Sequence, residues 1–204
     1  MAKIFHRNFI GLGSNITQNG SLPFTTMRQI VAQLNYSGCH TVAVSALYRT
    51  EPVGGGRQPP FYNAVLQVST RLTPRRLLAV AKSLERGTGR RRGRRNGPRP
   101  IDIDILDCGG RIISRATRRT RPALVLPHPE LHRRRFVLQP LLDIAPHWRH
   151  PVLDMTARQL LFRLPAGSGA VQRILDSDWL SCDEERLYRA TTASDQILRR
   201  RPPR

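Results

Sequence analysis

Ile101-Asp102-Ile103-Asp104-Ile105-Leu106 alternates apolar and acidic side chains without a break. Strict alternation marks a half-buried strand, because residues two apart point to the same face. Asp102 and Asp104 therefore leave one face together, and the isoleucines face a core. Upstream, Thr73-Pro74 is a helix start: threonine caps free N–H groups, and proline at the first helical position forfeits no hydrogen bond. Leu77, Leu78, Ala81 and Leu84 form that helix's apolar stripe, and Gly87 stops it. Residues 62–70 and 41–48 read as strands, separated by a Pro/Gly-rich loop over 51–60. Pro23, Met27, Ile30, Val31 and Leu34 fit one helical face, and Phe9-Ile10-Gly11-Leu12-Gly13 reads as a buried strand running into a turn. The order βαββαβ predicts an α+β fold, a ferredoxin-like antiparallel sheet with helices packed on one face. Residues 136–144 and, more weakly, 156–164 add C-terminal helices. A break at Pro165 to Gly169 divides the chain into a domain over 1–165 and a C-terminal extension over 166–204, expected to be partly disordered.

A chain of 204 residues, 39% of them hydrophobic, can bury one real core. It has no apolar run of the length that spans a membrane, and residues 1–11 lack the apolar stretch of a secretory signal. Cys39, Cys108 and Cys182 are widely spaced without a CxxC pair, which argues against a disulfide framework or zinc knuckle. A cytoplasmic location is expected. The formal net charge is +20, and Lys3 and Lys82 are the only lysines among 34 basic residues. That balance points to a polyanionic partner, either a polyphosphate or nucleic acid, or to a surface in which arginine has replaced lysine.

Two carboxylates side by side on an apolar strand repel each other unless a cation compensates, and Mg²⁺ with its oxygen ligands suits them. A solvated edge strand is the plainer alternative. Arg86, Arg90, Arg91, Arg92, Arg94, Arg95 and Arg99 crowd the preceding loop, broken by Gly87, Gly89, Gly93 and Gly97. Arginine forks bind phosphate oxygens, so cations beside a carboxylate pair suit a polyphosphate such as ATP; a basic arm for RNA is the rival. Gly11-Leu12-Gly13-Ser14-Asn15 is no Walker loop, since no Gly-Lys-Ser/Thr follows. His128 and His132 have a helical metal spacing, but Pro129 lies between them. Phe61 and Phe136 are either core residues or exposed faces for stacking on a flat ring.

Several stretches occur in one order: Phe9-Ile10-Gly11-Leu12-Gly13-Ser14-Asn15, Ser45-Ala46-Leu47-Tyr48-Arg49-Thr50-Glu51-Pro52-Val53-Gly54, and Gln58-Pro59-Pro60-Phe61-Tyr62-Asn63. Asn96-Gly97-Pro98-Arg99-Pro100-Ile101-Asp102-Ile103-Asp104-Ile105-Leu106, Leu126-Pro127-His128-Pro129 and Arg134-Arg135-Phe136-Val137-Leu138-Gln139-Pro140-Leu141 follow. Together they resemble the motifs of the 6-hydroxymethyl-7,8-dihydropterin pyrophosphokinase family of folate synthesis, over residues 8–165. The resemblance implies transfer of the β,γ-diphosphate of ATP to the pterin's hydroxymethyl group, releasing AMP. By the same carry-over, Asp102 and Asp104 bind two Mg²⁺ ions with ATP, and Arg90, Arg99 and Asp104 are catalytic. Glu85, Arg90, Arg99, His128 and Arg134 then bind ATP. Phe61 and Phe136 sandwich the pterin, while Thr50, Val53 and Asn63 read its edge. ATP and the small pterin are the implied partners, with no membrane, and the chain is expected to be a monomer. No nucleic-acid motif supports an RNA-binding module.

Three departures from the family pattern stand out: Asn96 in place of a common tryptophan, Glu51 in place of a frequent proline, and Asp107 as a third acid beyond the pair. The first two motivate a third reading, a decayed enzyme kept as a scaffold, against which the intact Asp102/Asp104 pair argues. No general base for the hydroxyl stands out; an aspartate or a metal-lowered hydroxyl pKa both serve. The extension lies outside the matched motifs and is expected to be dispensable for turnover.

Overall fold

The structure, a computed structural model, describes residues 6–17, 22–52, 58–89, 98–114, 124–165 and 169–190. Its elements are β1 (His6–Ser14), α1 (Pro23–Tyr36), β2 (Cys39–Val44), β3 (Leu47–Thr50), β4 (Phe61–Thr70), α2 (Pro74–Gly87), β5 (Asp102–Cys108), α3 (Arg135–Ile144), α4 (Ala157–Arg163) and β6 (Val171–Leu175). Short 3-10 turns cover Leu131–Arg133 and Ser177–Leu180, and residues 184–190 are helical. The fold is α+β. The strands form one antiparallel sheet ordered β5-β1-β4-β3-β6, with β2 also paired to β4.

The single strand expected over 41–48 is two strands. Ser45 causes the break: its N–H donates to the Val65 carbonyl and its hydroxyl accepts from the Val65 N–H, both at 2.9 Å. Thr73 caps α2 as its sequence predicts, accepting from the Arg76 N–H. Gly87 is the last residue of that helix, and Gly89, at φ 75°, supplies the left-handed turn.

Strand residues Ile10, Leu12, Leu66, Val68, Ile103 and Ile105 pack with Met27, Ile30, Leu34, Leu77 and Ala81 of α1 and α2. The expectation of helices on one face holds for these two and is corrected by the next two. Phe9, Val65 and Leu106 point the other way and are covered by Val137, Leu138 and Leu141 of α3 and Leu160 of α4. Strands apolar on both faces need two helical layers, so β1 and β4 sit between them.

Residues 169–190 of the expected extension join the same sheet and core. Here β6 pairs with β3, and Trp179, Cys182 and Leu187 are buried in the α1/α2 cluster. All three cysteines are free and buried. Among the described residues no helix is long and apolar enough to cross a membrane.

Candidate active site

The sheet face under α3 and α4 opens into a cavity of ≈ 1190 Å³. Its floor is β1. Gly11 lies between Asp104 of β5 and Val65 of β4, and Gly13 between Asp102 and Asn63. A Cβ on Gly13 would come within 3.3 Å of Asn63 Oδ1, and one on Gly11 within 3.4 Å of Leu106. The two glycines therefore keep a flat, side-chain-free strip between the acidic and amide edges.

Asp102 and Asp104 leave the sheet on this face, as the alternation predicts, and both line the cavity. The Arg99 guanidinium is 2.7 Å from Asp102 Oδ2. Asp104 Oδ2 lies 3.7 Å from the Arg134 guanidinium and 3.9 Å from His128 Nε2. Burial, and then the neighbouring Asp102, push the Asp104 carboxyl above its ordinary range, against the opposing pull of His128, Lys82 and Arg134. Burial also lowers the His128 imidazole. Its Nδ1 accepts the Glu130 N–H at 3.2 Å, so the neutral ring carries its proton on Nε2, toward Asp104.

On the other side of the floor, Phe61, Asn63, Thr50 and Phe136 line the same cavity. Asn63 Nδ2 donates to Thr50 Oγ1 at 2.8 Å, which fixes the amide and leaves Oδ1 over Gly13. Helix α3, which carries Phe136, is tied to β3, which carries Thr50. Asp143 of α3 accepts from the Ala46 N–H at 3.1 Å and from the Tyr48 hydroxyl at 2.9 Å. Burial, then this carboxylate, push the Tyr48 hydroxyl up to about 12. Glu51, one of the three departures from the family pattern, pairs with Arg49 at 2.7 Å.

Glu85 does not line the cavity; its buried carboxylate accepts the Ile103 N–H and meets Lys82 Nζ, both at 2.8 Å. It satisfies the outer edge of β5 at the residue between the two aspartates. Asp107, the third acid, is separate from the pair: a bulge in β1–β5 pairing turns it toward Trp148 Nε1 (2.9 Å) and the Gly110 N–H (3.0 Å). His128 precedes the 3-10 turn that holds His132, whose ring edges onto His150 instead, so the two share no helix face. Val53 and Arg90 lie outside the described residues, as do Arg91, Arg92, Arg94, Arg95 and Asn96.

Sequence reasoning missed three contributors. Gly11 and Gly13 read only as the end of a strand running into a turn, although their spacing of two on a strand matches that of the aspartates. Asn15, 2% exposed, donates through Nδ2 to the Pro59 carbonyl (3.1 Å) and accepts the Arg99 N–H (2.8 Å), joining the approach to Phe61 to the approach to Asp102. The Tyr48–Asp143 bond joins residues far apart in sequence and left no local signal.

Comparison with known proteins gives the chain a family. The profile of the 7,8-dihydro-6-hydroxymethylpterin-pyrophosphokinase (HPPK) family matches residues 9–146. A protein of Methylorubrum extorquens named 2-amino-4-hydroxy-6-hydroxymethyldihydropteridine pyrophosphokinase is 43% identical over 167 residues, 81% of this chain and 99% of the relative. One of the same name from Bacillus subtilis is 39% identical over 67% of this chain and 77% of the relative. A folic acid synthesis protein of Dictyostelium discoideum is 36% identical over 78% of this chain, which spans only 22% of that longer protein. Among solved structures, a Plasmodium falciparum HPPK-DHPS protein superposes with a TM-score of 0.62 at 17% identity, over 78% of this chain and 41% of that one, and so shares the fold. With its motifs and its sheet in agreement, the chain belongs to the 7,8-dihydro-6-hydroxymethylpterin-pyrophosphokinase family, ATP-dependent diphosphokinases of folate biosynthesis.

Proposed function

We propose that this chain transfers the β,γ-diphosphate of ATP to the hydroxymethyl group of 6-hydroxymethyl-7,8-dihydropterin, yielding the pterin diphosphate and AMP. The observation that carries the reading is the position of Gly13, paired with Asn63 on one side and Asp102 on the other. A ring read by Asn63 and a triphosphate held at Asp102 would meet across one bare strand. The strand order, β5-β1-β4 with β2 and β3 beside β4, supports a ferredoxin-like βαββαβ core beneath the site.

In this reading Phe61 and Phe136 stack on the two faces of the pterin. The Asn63 amide and the Thr50 hydroxyl read its edge, with the Val53 backbone. Arg99, Arg134 and His128 take triphosphate oxygens, and Arg90, outside the described residues, is assigned to the same task. Glu85 acts on ATP indirectly, by holding β5 under the aspartates. The chain works as a cytoplasmic monomer with ATP and the pterin as partners.

The acidic pair fits divalent cations: two carboxylates share a face, and burial with mutual repulsion raises one of them, a cost that a hard cation bound by oxygens removes. Asp102 and Asp104 would hold two Mg²⁺ ions, which supply charge neutralisation to the triphosphate. The remaining work falls to alignment. The pterin oxygen forms a bond to the β-phosphorus as the bond from that phosphorus to the oxygen bridging it to the α-phosphate breaks; the hydroxyl proton passes to solvent, and AMP departs with the bridging oxygen. No covalent enzyme intermediate is required. Arg99 and Arg134 stabilise the charge that migrates with the diphosphate, and stacking between the phenylalanines orients the nucleophile.

The test is a product assay with purified protein, ATP, dihydropterin and Mg²⁺. AMP that forms only when all three ligands are present is the expected result. Formation of ADP, or AMP release without the pterin, contradicts the reading.

A further inference from the structure

We propose that the C-terminal unit over residues 169–190 is a positioning element for pterin binding, a role that rests on the pterin site read above. The matched family profile ends at residue 146, yet this later segment reaches the site. Strand β3 has only four residues, Leu47–Thr50, and ends at Thr50, the hydroxyl partner of Asn63. A strand so short frays when one edge is open. Here β6 closes that edge, with Tyr48 opposite Arg173, Arg49 opposite Gln172 and Thr50 opposite Val171, and every residue of β3 is buried.

The unit is anchored at a second point. Trp179, fully buried, donates from Nε1 to the Ser45 carbonyl at 2.9 Å, at the break between β2 and β3. Arg28 of α1 donates to the Cys182 carbonyl at 3.0 Å, and Leu187 sits in the core. Gly169, just before β6, lines the same cavity as Thr50 and Asn63.

Sheet order makes the effect selective. β6 neighbours β3, whereas β5, with Asp102 and Asp104, lies at the opposite edge beyond β4 and β1. Loosening the C-terminal unit should thus disturb the pterin side and spare the nucleotide side.

The experiment measures dissociation constants by calorimetry for the full chain and two variants, Trp179→Leu and the milder Trp179→Phe, which keeps the ring and removes the hydrogen bond. One titration uses a non-hydrolysable ATP analogue with Mg²⁺, the other 6-hydroxymethylpterin in its presence. Loss of the buried bond and of ring packing should raise the pterin constant about tenfold in Trp179→Leu, and loss of the bond with less packing lost should raise it by less in Trp179→Phe, while the ATP-analogue constant stays within about twofold. If Trp179→Leu fails to fold, Trp179→Phe reads the same split. An unchanged pterin constant, or equal weakening of both ligands, overturns the inference. Asn63→Ala separates it from the reading beneath: pterin loss there with none in either Trp179 variant overturns the inference alone, and no loss in Asn63→Ala overturns the pterin site itself.

Discussion

Asn15 and Arg99 bond to each other twice: the Asn15 backbone N–H donates to the Arg99 carbonyl at 3.2 Å, and the Arg99 backbone N–H donates to the side-chain Oδ1 of Asn15 at 2.8 Å. The side-chain Nδ2 of Asn15 donates to the Pro59 carbonyl, two residues before Phe61. One buried side chain thereby fixes the segments that deliver an aromatic face and a guanidinium to opposite ends of the cavity. Replacing Asn15 by Ala should lower kcat/KM by about 10–100-fold, the usual cost of removing a residue that orients site groups. Asn15→Asp keeps the acceptor for Arg99 and loses the donor to Pro59, so its loss should appear mainly in the KM for pterin. Steady-state kinetics on both variants checks this.

The bare floor makes a steric prediction. In Gly13→Val, a branched side chain is set against Asn63 Oδ1, which a Cβ alone would approach to 3.3 Å. Turnover should fall to near background. Thermal melting should stay close to wild type, because valine favours a strand that glycine weakens. A variant that melts normally and turns over normally contradicts the role given to the floor.

Glu85→Ala strips the Ile103 N–H of its acceptor and Lys82 of its partner. An unsatisfied buried donor costs roughly 1–3 kcal/mol, which denaturant unfolding can measure. Because Ile103 lies between the two aspartates, kcat should fall as well, with Mg²⁺ dependence shifted to higher concentration. Lost stability with unaltered Mg²⁺ dependence would leave Glu85 a purely structural residue.

A pH effect on stability follows from His150. Burial, then the facing His132, hold its imidazole below the ordinary 6.5, against the attraction of Asp107. Its Nδ1 accepts the N–H groups of Val152 and Leu153, and a proton there would displace both. The unfolded chain takes up a proton first, so stability is full above 6.5 and declines as pH falls through it. His150→Asn keeps an acceptor and does not titrate, and its melting temperature should fall less steeply between neutral and acid pH. Identical acid limbs for the two proteins would remove His150 as the cause.

Much of the fold is legible where a local signal and the tertiary demand coincide. The alternation at 101–106 gives β5 and its two faces, and Thr73-Pro74 gives the cap of α2. Long-range bonds hid the rest. Ser45 breaks the second strand through its bonds to Val65 and Trp179, none of which a window of sequence contains. Val171-Gln172-Arg173-Ile174-Leu175 alternates poorly, because one edge of β6 lies on β3 and its faces are unevenly covered, so the strand passed as part of a tail. Of the candidate site, the aspartates, Arg99, Phe61, Asn63, Thr50 and Phe136 come together as the motifs imply, with His128 and Arg134 beside Asp104. Among the described residues of that site, Glu85 faces the strand edge instead of the cavity, a distinction that only packing decides.

In the proposed reaction Asp102 and Asp104 serve the nucleotide through divalent ions. The most direct measurement is binding of a non-hydrolysable ATP analogue, by calorimetry, as a function of Mg²⁺ in wild type and Asp104→Asn. Wild-type affinity should rise steeply with Mg²⁺, and the variant should bind weakly with little response to the metal. Its melting temperature without ligand should equal or exceed that of the wild type, since a repelling carboxylate is gone. Equal Mg²⁺ dependence in the two proteins would contradict the account.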